Sequence, residues 1–234
     1  GEIVTIGSRL AKKTTGYALE QLIIGSEGTL GIITQVTLKL QPLATHRFDL
    51  LAIFQDIDKA LAIPHKIVKA GITPASLEFM DNRGIQSTAR YLKVTLPYAD
   101  KDGIYMIYYA EDIVVPVDKI AELMKKLPEI EKKYGIATTT SAHIGDGNIH
   151  VNALKMNIPD DIWNETLEKY HKELYGFVYS LGGCLSGEHG IGSNKIKEME
   201  MFTNPLELKM MRVIKKALDP NQILNPGKIF QIKN

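Results

Sequence analysis

The 234-residue sequence predicts an α+β fold in which a ferredoxin-like sandwich is followed by a C-terminal helical segment. Three observations carry that prediction. Segments with a two-residue apolar period alternate with segments whose apolar residues recur every three or four positions, so strands and helices interleave. An Asp-Gly pair between two strand-like runs marks at least one hairpin. The tail opens with a helix-capping pattern.

Taken in order, "GEIVTIG" reads as a strand already in progress, and without an initiating methionine the chain is expected to continue a longer polypeptide. In "IIGSEGTLGII", Gly25, Gly28 and Gly31 stand between apolar flanks, so backbone there must run close to neighbouring backbone or to a ligand. In "GIITQVTLKLQP", Ile32, Thr34, Val36, Leu38 and Leu40 share one face and Gln35, Thr37 and Lys39 the other, the period of a half-buried strand that Pro42 ends. From His46 the units alternate. "RFDLLAIF" reads as strand, "DIDKALAIPHKIVKAG" as helix, "PASLEFMD" as strand and "NRGIQSTARYL" as helix, and "GIYMIYYAEDIVV" as a strand pair or one long bent strand.

"PVDKIAELMKKLPEIEKKYG" is a helix with the stripe Ile120, Leu123, Leu127, Ile130 and Tyr134, and Pro128 is expected to kink or divide it. "IATTTSAH" and "NIHVNALKM" are strands about the Asp-Gly turn. "DDIWNETLEKYHKELYGFVYSLGG" carries Trp163, Leu167, Tyr170, Leu174, Phe177 and Leu181 at spacings of four and three, with Gly182 and Gly183 placed to cap its end. "NPLELKMMRVIKKAL" begins on Asn204 as cap with Pro205 in the first turn.

Composition narrows the function classes. Twenty-eight basic against 27 acidic side chains give a formal charge of +1, so no global field draws in nucleic acid or a membrane surface. No apolar run approaches the roughly twenty residues that span a bilayer. The one cysteine, Cys184, cannot form an internal disulfide, which fits a reducing, cytoplasmic compartment.

The motif "HIGDGNIH" sets His143 and His150 at the ends of a glycine-rich turn. If Asp146-Gly147 is a two-residue turn, His143 directly faces His150, close enough for two imidazoles to share an ion; Asn152 then lies on the same face. Two sheet histidines satisfied by hydrogen bonds are the alternative. "GGCLSGEHGIG" places Glu188 and His189 side by side in a loop launched from a helix end, supplying the carboxylate and third imidazole that a two-histidine site lacks. Plain glycine-rich turn packing is the alternative there.

Four motifs in this order, "GSEGTLGIITQVTLKLQP", "HIGDGNIHVN", "SGEHGIG" and "ALDPNQILNPGKIF", resemble the FAD-linked oxidases of the vanillyl-alcohol oxidase type. The branch they resemble contains glycolate oxidase, D-lactate dehydrogenase and D-2-hydroxyglutarate dehydrogenase. The resemblance implies that residues 1–42 end a FAD-binding domain, 43–200 form a substrate- and metal-binding domain, and 201–234 return to the FAD domain. FAD contacts are then expected at Ser26, Glu27, Gly28, Thr29, Gly31 and Ile33, and more weakly at Gly16, Tyr17, Asn225 and Lys228. His143, His150 and Glu188 are the implied ligands of a divalent metal, zinc first, with manganese or iron as alternatives. His189 is the implied general base and Asn152 the residue that orients a 2-hydroxy acid on its way to the 2-oxo acid.

An electron-acceptor protein or quinone would complete the turnover. Two departures qualify what is implied. The pyrophosphate-binding loop of such flavin domains is absent, so the chain alone is expected to bind FAD poorly, and the rest of that domain or a partner chain would supply the remainder. Between "LPYADKDGIYMI" and "YYAEDIVVP" a longer stretch with a substrate-binding arginine is expected, and Arg83 and Arg90 do not sit in its pattern. Two other classes compete: a non-catalytic assembly subunit that keeps the fold, and a flavin-free metal-dependent hydrolase.

Overall fold

The computed structural model describes every residue except 11, 41–51, 73, 75, 96–106, 156–157 and 233–234. They form two compact units, Ile53–His189 and the combination of Gly1–Ala52 with Gly190–Asn234. In chain order the helices and strands are α1 (Leu19–Ile23), α2 (Ile57–Leu61), α3 (Ile63–Lys69), β1 (Glu78–Met80), α4 (Asn82–Leu92), β2 (Ile107–Val114), α5 (Ile120–Tyr134), β3 (Ala137–His143), β4 (Asn148–Leu154), α6 (Asp160–Ser180), α7 (Ile196–Phe202) and α8 (Pro205–Leu218). No described helix is long and apolar enough to cross a membrane.

The larger unit is built on an antiparallel sheet of order β1-β3-β4-β2. From β2 onward the chain runs β-α-β-β-α, and Cys184 closes the series by bridging antiparallel to Val114 on the β2 edge. That is the split βαβ arrangement of the ferredoxin-like fold, as the sequence predicts, with β1 added on the opposite edge. Because strand side chains alternate, one sheet face presents Ile113, Thr138, Thr140, Ile149, Val151 and Ala153, and all six are buried. Helix α5 reaches this face through Glu131, whose Oε1 accepts from Thr138 N at 2.8 Å, and α6 reaches it through Tyr175, whose hydroxyl donates to Glu111. The other face carries Glu78, Asp112, Ser141, His143, His150 and Asn152.

The stripes predicted for α5 and α6 form the core. Ile120, Leu123, Leu127 and Ile130 are buried on α5, as are Trp163, Leu167, Tyr170 and Leu174 on α6. Pro128 does not divide α5, although it removes a backbone donor and costs about 3 kcal/mol. Four buried side chains at roughly 1.5–3 kcal/mol each outweigh that cost. The helix expected over 56–71 is divided instead, at Ala62 before Pro64, which cannot donate back to Ala60. Helix α4 has the predicted limits, with the Asp81 carboxylate accepting from Gly84 N at 2.7 Å.

Helix α6 ends as its glycine pair predicts. Gly182 adopts φ +80° and donates to Tyr179 O at 3.0 Å, and Gly183 donates to Val178 O at 2.9 Å, the two bonds of a Schellman cap. The chain leaves this cap beside the end of β2, where Cys184 N donates to Val114 O at 2.9 Å. The loop that follows is therefore anchored at its origin.

Part of the sequence reading does not hold. Neither "GEIVTIG" nor "GIITQVTLKL" joins a sheet; Ile32, Val36, Leu38 and Leu40 are 64–86% exposed where a half-buried face was expected. A strand persists only where a neighbour takes up its N–H and C=O groups, and none of the described strands pairs with these segments. The strand expected at "RFDLLAIF" and the first residues of "GIYMIYYAEDIVV" fall largely outside the described residues. The remainder of the latter is one strand with a register irregularity between Ile107 and Tyr109, not a pair.

In the smaller unit Asn204 caps α8 as predicted, its side chain accepting from Leu206 N at 2.9 Å. Lys215 is buried. Its ammonium donates to Thr29 O at 2.7 Å, to Leu224 O at 2.8 Å and to the Asp219 carboxylate, which also accepts from Ile223 N and Leu224 N. This network ties "EGT" to "DPNQIL".

Candidate active site

Strands β3 and β4 bring the first two candidate ligands together, though not in the predicted register. The turn has four residues, Ile144–Gly147, not two. Asp146 N donates to His143 O at 3.2 Å and the Asp146 carboxylate accepts from Asn148 N at 3.2 Å, a side-chain-stabilised turn that a two-residue loop would not contain. Gly147 holds φ +86° with the Cβ position only 2.1 Å from Val115 O, so no other residue fits without displacing β2's end. His143 consequently pairs with Asn148, and His150 with Ser141. The error is a shift of two residues, and a shift of two preserves side-chain facing. His143 and His150 therefore still share a face, their rings perpendicular with centroids 5.4 Å apart.

The loop after α6 delivers the rest. Glu188 Oε1 lies 3.2 Å from His150 Nε2, 3.5 Å from His143 Nε2 and 3.6 Å from His189 Nε2. His189 stacks on His150 at a centroid distance of 5.4 Å. The ligand atoms of His143, His150 and Glu188 lie within 4.8 Å of one another, close enough to hold one metal ion. Asn152 is one pair further along the same face, its amide donating to Thr139 Oγ1 at 3.2 Å.

Two carboxylates that the sequence reading does not single out complete the cluster. Glu78, paired opposite His143 across β1 and β3, bonds His143 Nδ1 at 2.7 Å. That hydrogen bond, outweighing partial burial, raises the His143 pKa above its ordinary value. Asp112, paired opposite His150 across β2 and β4, is 1% exposed. Its Oδ2 accepts from Ser186 Oγ at 2.6 Å, His189 N at 2.8 Å and Glu188 N at 3.2 Å. Burial pushes the Asp112 pKa up, but these three bonds hold it down at about 2. Asp112, His150 and His189 form a second group whose ligand atoms lie within 4.8 Å. The available signal was the pair Glu111-Asp112, two adjacent charges inside an otherwise apolar strand.

The smaller unit contains all the residues implied as FAD contacts. Thr29 is buried, its hydroxyl donating to Ser26 O at 2.7 Å. Glu27 has φ +50°; its carboxylate accepts from Ile191 N at 2.7 Å and Gly192 N at 2.9 Å, and its carbonyl accepts from the Asn225 amide, beside Gly28. Lys228 Nζ lies 3.3 Å from Ser193 Oγ. Gly16, Tyr17, Gly31 and Ile33 do not join that cluster, and Tyr17 and Ile33 are 91% and 60% exposed.

Residues 44–107 and 99–229 match the family described as FAD linked oxidases, C-terminal domain. The chain belongs to this family. Glycolate oxidase subunit GlcD of Bacillus subtilis is 31% identical over 286 residues, covering 98% of this chain and 61% of that protein. A D-lactate dehydrogenase of Archaeoglobus fulgidus is 31% identical, covering 99% and 62%, and a D-2-hydroxyglutarate dehydrogenase of Stutzerimonas stutzeri is 30% identical, covering 98% and 62%. The chain thus spans about three fifths of the length of these curated relatives. As a member of the FAD linked oxidases it is matched in two segments that overlap at 99–107, ending where additional residues are expected from the sequence, between Ile107 and Tyr108.

Proposed function

We propose that the chain forms the substrate- and metal-binding part of an FAD-dependent dehydrogenase that oxidises a D-2-hydroxy acid of the lactate, glycolate or 2-hydroxyglutarate class. One observation carries the reading: a single carboxylate oxygen, Glu188 Oε1, lies 3.2–3.6 Å from three imidazole nitrogens. An ion bound tetrahedrally with bonds of about 2.0–2.1 Å holds its ligand atoms about 3.4 Å apart. The separations from Glu188 Oε1 to His150 and His143 are close to that spacing, so His143, His150 and Glu188 fit zinc, with manganese or iron as alternatives. The Glu78 carboxylate on His143 Nδ1 is the second partner that metal-bound histidines commonly have.

A divalent cation, when bound, supplies the Lewis acidity that lowers the pKa of a substrate hydroxyl. His189 takes the hydroxyl proton, since its Nε2 is near the carboxylate oxygen the ligands share and its Nδ1 is 3.8 Å from Asp112. Asn152, on the same face, orients the substrate. The α-hydrogen leaves with two electrons, giving the 2-oxo acid, and FAD, when bound, supplies their acceptor. Toward FAD we assign Gly16, Tyr17, Ser26, Glu27, Gly28, Thr29, Gly31, Ile33, Asn225 and Lys228; the exposed Tyr17 and Ile33 suit an apolar ring system. Glu27 would act there through its backbone, because its carboxylate already holds Ile191 and Gly192. Residues 1–42 and 201–234 belong to the FAD side in this reading and 43–200 to the substrate side, with a protein or quinone taking the electrons onward.

The test is zinc titration of wild type and His150→Ala by calorimetry, followed by D-lactate-, glycolate- and D-2-hydroxyglutarate-dependent flavin bleaching in the FAD-loaded enzyme. Wild type should bind one equivalent and His150→Ala should lose it. Equal binding by the two would overturn the ligand assignment.

A further inference from the structure

We propose that Asp112 is a positioning residue that holds the Glu188-His189 segment in its working geometry and is not itself a metal ligand. The inference rests on the site reading above and adds the group that makes the site rigid. Asp112 lies on β2 directly opposite His150 of β4, and is therefore fixed by the sheet that also carries His143 and His150. The segment 186–189 has no such frame. It comes off the Cys184 bridge as irregular chain, and Glu188 and His189 are about half exposed.

One oxygen joins the two. Asp112 Oδ2 accepts from Ser186 Oγ, Glu188 N and His189 N at 2.6, 3.2 and 2.8 Å, so both functional residues are tied at their own amides. Three donors exceed the two lone pairs of that oxygen and leave it none for a cation. Of the two groups that could hold an ion, the one reached through Asp112 Oδ2 is therefore disfavoured. His143, His150 and Glu188 keep their ligand atoms directed at one another, whereas Asp112 has spent Oδ2 on the loop. The same oxygen stands 3.8 Å from His189 Nδ1, beyond a hydrogen bond, and the opposite ring nitrogen, Nε2, lies 3.6 Å from Glu188 Oε1.

The test is calorimetric zinc titration of this chain as wild type, Asp112→Asn, Ser186→Ala and His150→Ala, each with a thermal unfolding curve of the metal-free protein. Removal of a partner outside the ligand set costs a metal site about 10–100-fold in affinity, and that loss is expected for Asp112→Asn, with a metal-free unfolding transition close to wild type. Ser186→Ala, which removes one of three bonds, should lose about fivefold. If Asp112→Asn does not fold, Ser186→Ala carries the test alone. Wild-type zinc affinity in folded Asp112→Asn, or in Ser186→Ala where it stands alone, overturns the positioning role while the ligand assignment stands. Loss of one-site binding in Asp112→Asn as complete as in His150→Ala overturns it too, by making Asp112 a ligand. Wild type that takes up no zinc, or His150→Ala that binds as wild type does, overturns both.

Discussion

Glu78→Gln is expected to weaken metal binding about tenfold while leaving the fold intact. The Glu78 carboxylate sits 2.7 Å from His143 Nδ1, and both side chains are near half exposed, at 56% and 42%. At that distance the Coulomb attraction of unit charges is about 1.5 kcal/mol at the dielectric of water, the end of the range appropriate to so exposed a pair. Glutamine keeps an acceptor for Nδ1–H, so only the charge contribution is lost, and 1.4 kcal/mol is a factor of ten. Calorimetric zinc titration at fixed salt measures it. The pH dependence supplies an internal check. Because the hydrogen bond to Glu78 raises the His143 pKa, proton competition for this imidazole begins at higher pH than for an ordinary histidine. Removing the charge lowers that pKa, so the variant's affinity starts to fall at lower pH, and the gap to wild type narrows as pH drops through the raised His143 pKa toward the ordinary histidine value of about 6.5. Equal affinities at neutral pH, or a gap that widens on acidification, would refute the reasoning.

Three further outcomes are expected. His189→Gln should retain the zinc equivalent yet abolish substrate-dependent flavin bleaching in the FAD-loaded enzyme; unchanged bleaching kinetics would remove His189 as the base. Gly147→Ala should lower the thermal unfolding temperature, because a Cβ there would meet Val115 O at 2.1 Å in a backbone conformation with φ +86°, a strain of about 1–3 kcal/mol before the clash is counted. The Asp219 pKa is held below the usual carboxylate range by Lys215 first and by the amides of Leu224 and Ile223. A depressed pKa contributes stability that is present above the unfolded-state value, about 3.9, and is lost as pH falls through the folded-state value. Denaturant melts of wild type and Asp219→Asn between pH 7 and 2 should therefore show a steeper acid-side decline in wild type.

How much was legible in the sequence depends on which partner each residue needs. Helices α4, α5 and α6 were readable because their stripes and caps are local: Asp81 before α4 and the Gly182-Gly183 pair after α6 act within a few residues of themselves. The cluster of His143, His150 and Glu188 was readable for a related reason, since His143 and His150 flank one turn and Glu188 sits next to His189. Glu78 and Asp112 were not. Their roles arise from β1 and β2 lying against β3 and β4, pairings with sequence separations above thirty residues that no spacing in the chain announces. The isolated strand patterns at 3–6 and 32–40 mark the opposite limit. A two-residue period states which face a strand would bury, not whether a neighbour exists to bury it.

The two-sided sheet explains why an incorrect turn length did so little damage to the site. Any even change in register keeps His143 and His150 on one face, while an odd one would send one histidine among Ile113, Ile149 and Val151 beneath α5 and α6. The buried face excludes an imidazole that has no partner there, so the hydrophobic core enforces the facing on which the site depends. Stability and chemistry are accordingly drawn from opposite faces of the same strands. Substitutions at Glu78, His143 or His150 remove polar groups from the open face without opening a cavity in the core, and they should change metal affinity far more than metal-free unfolding. Leu174→Ala, on the other face, should do the reverse: a loss of about 2–5 kcal/mol in stability with the zinc affinity of the folded fraction retained. Parallel measurement of unfolding and zinc titration in the two sets tests that separation, and a core variant that loses zinc affinity while still folded would show that the helices support the site through the sheet.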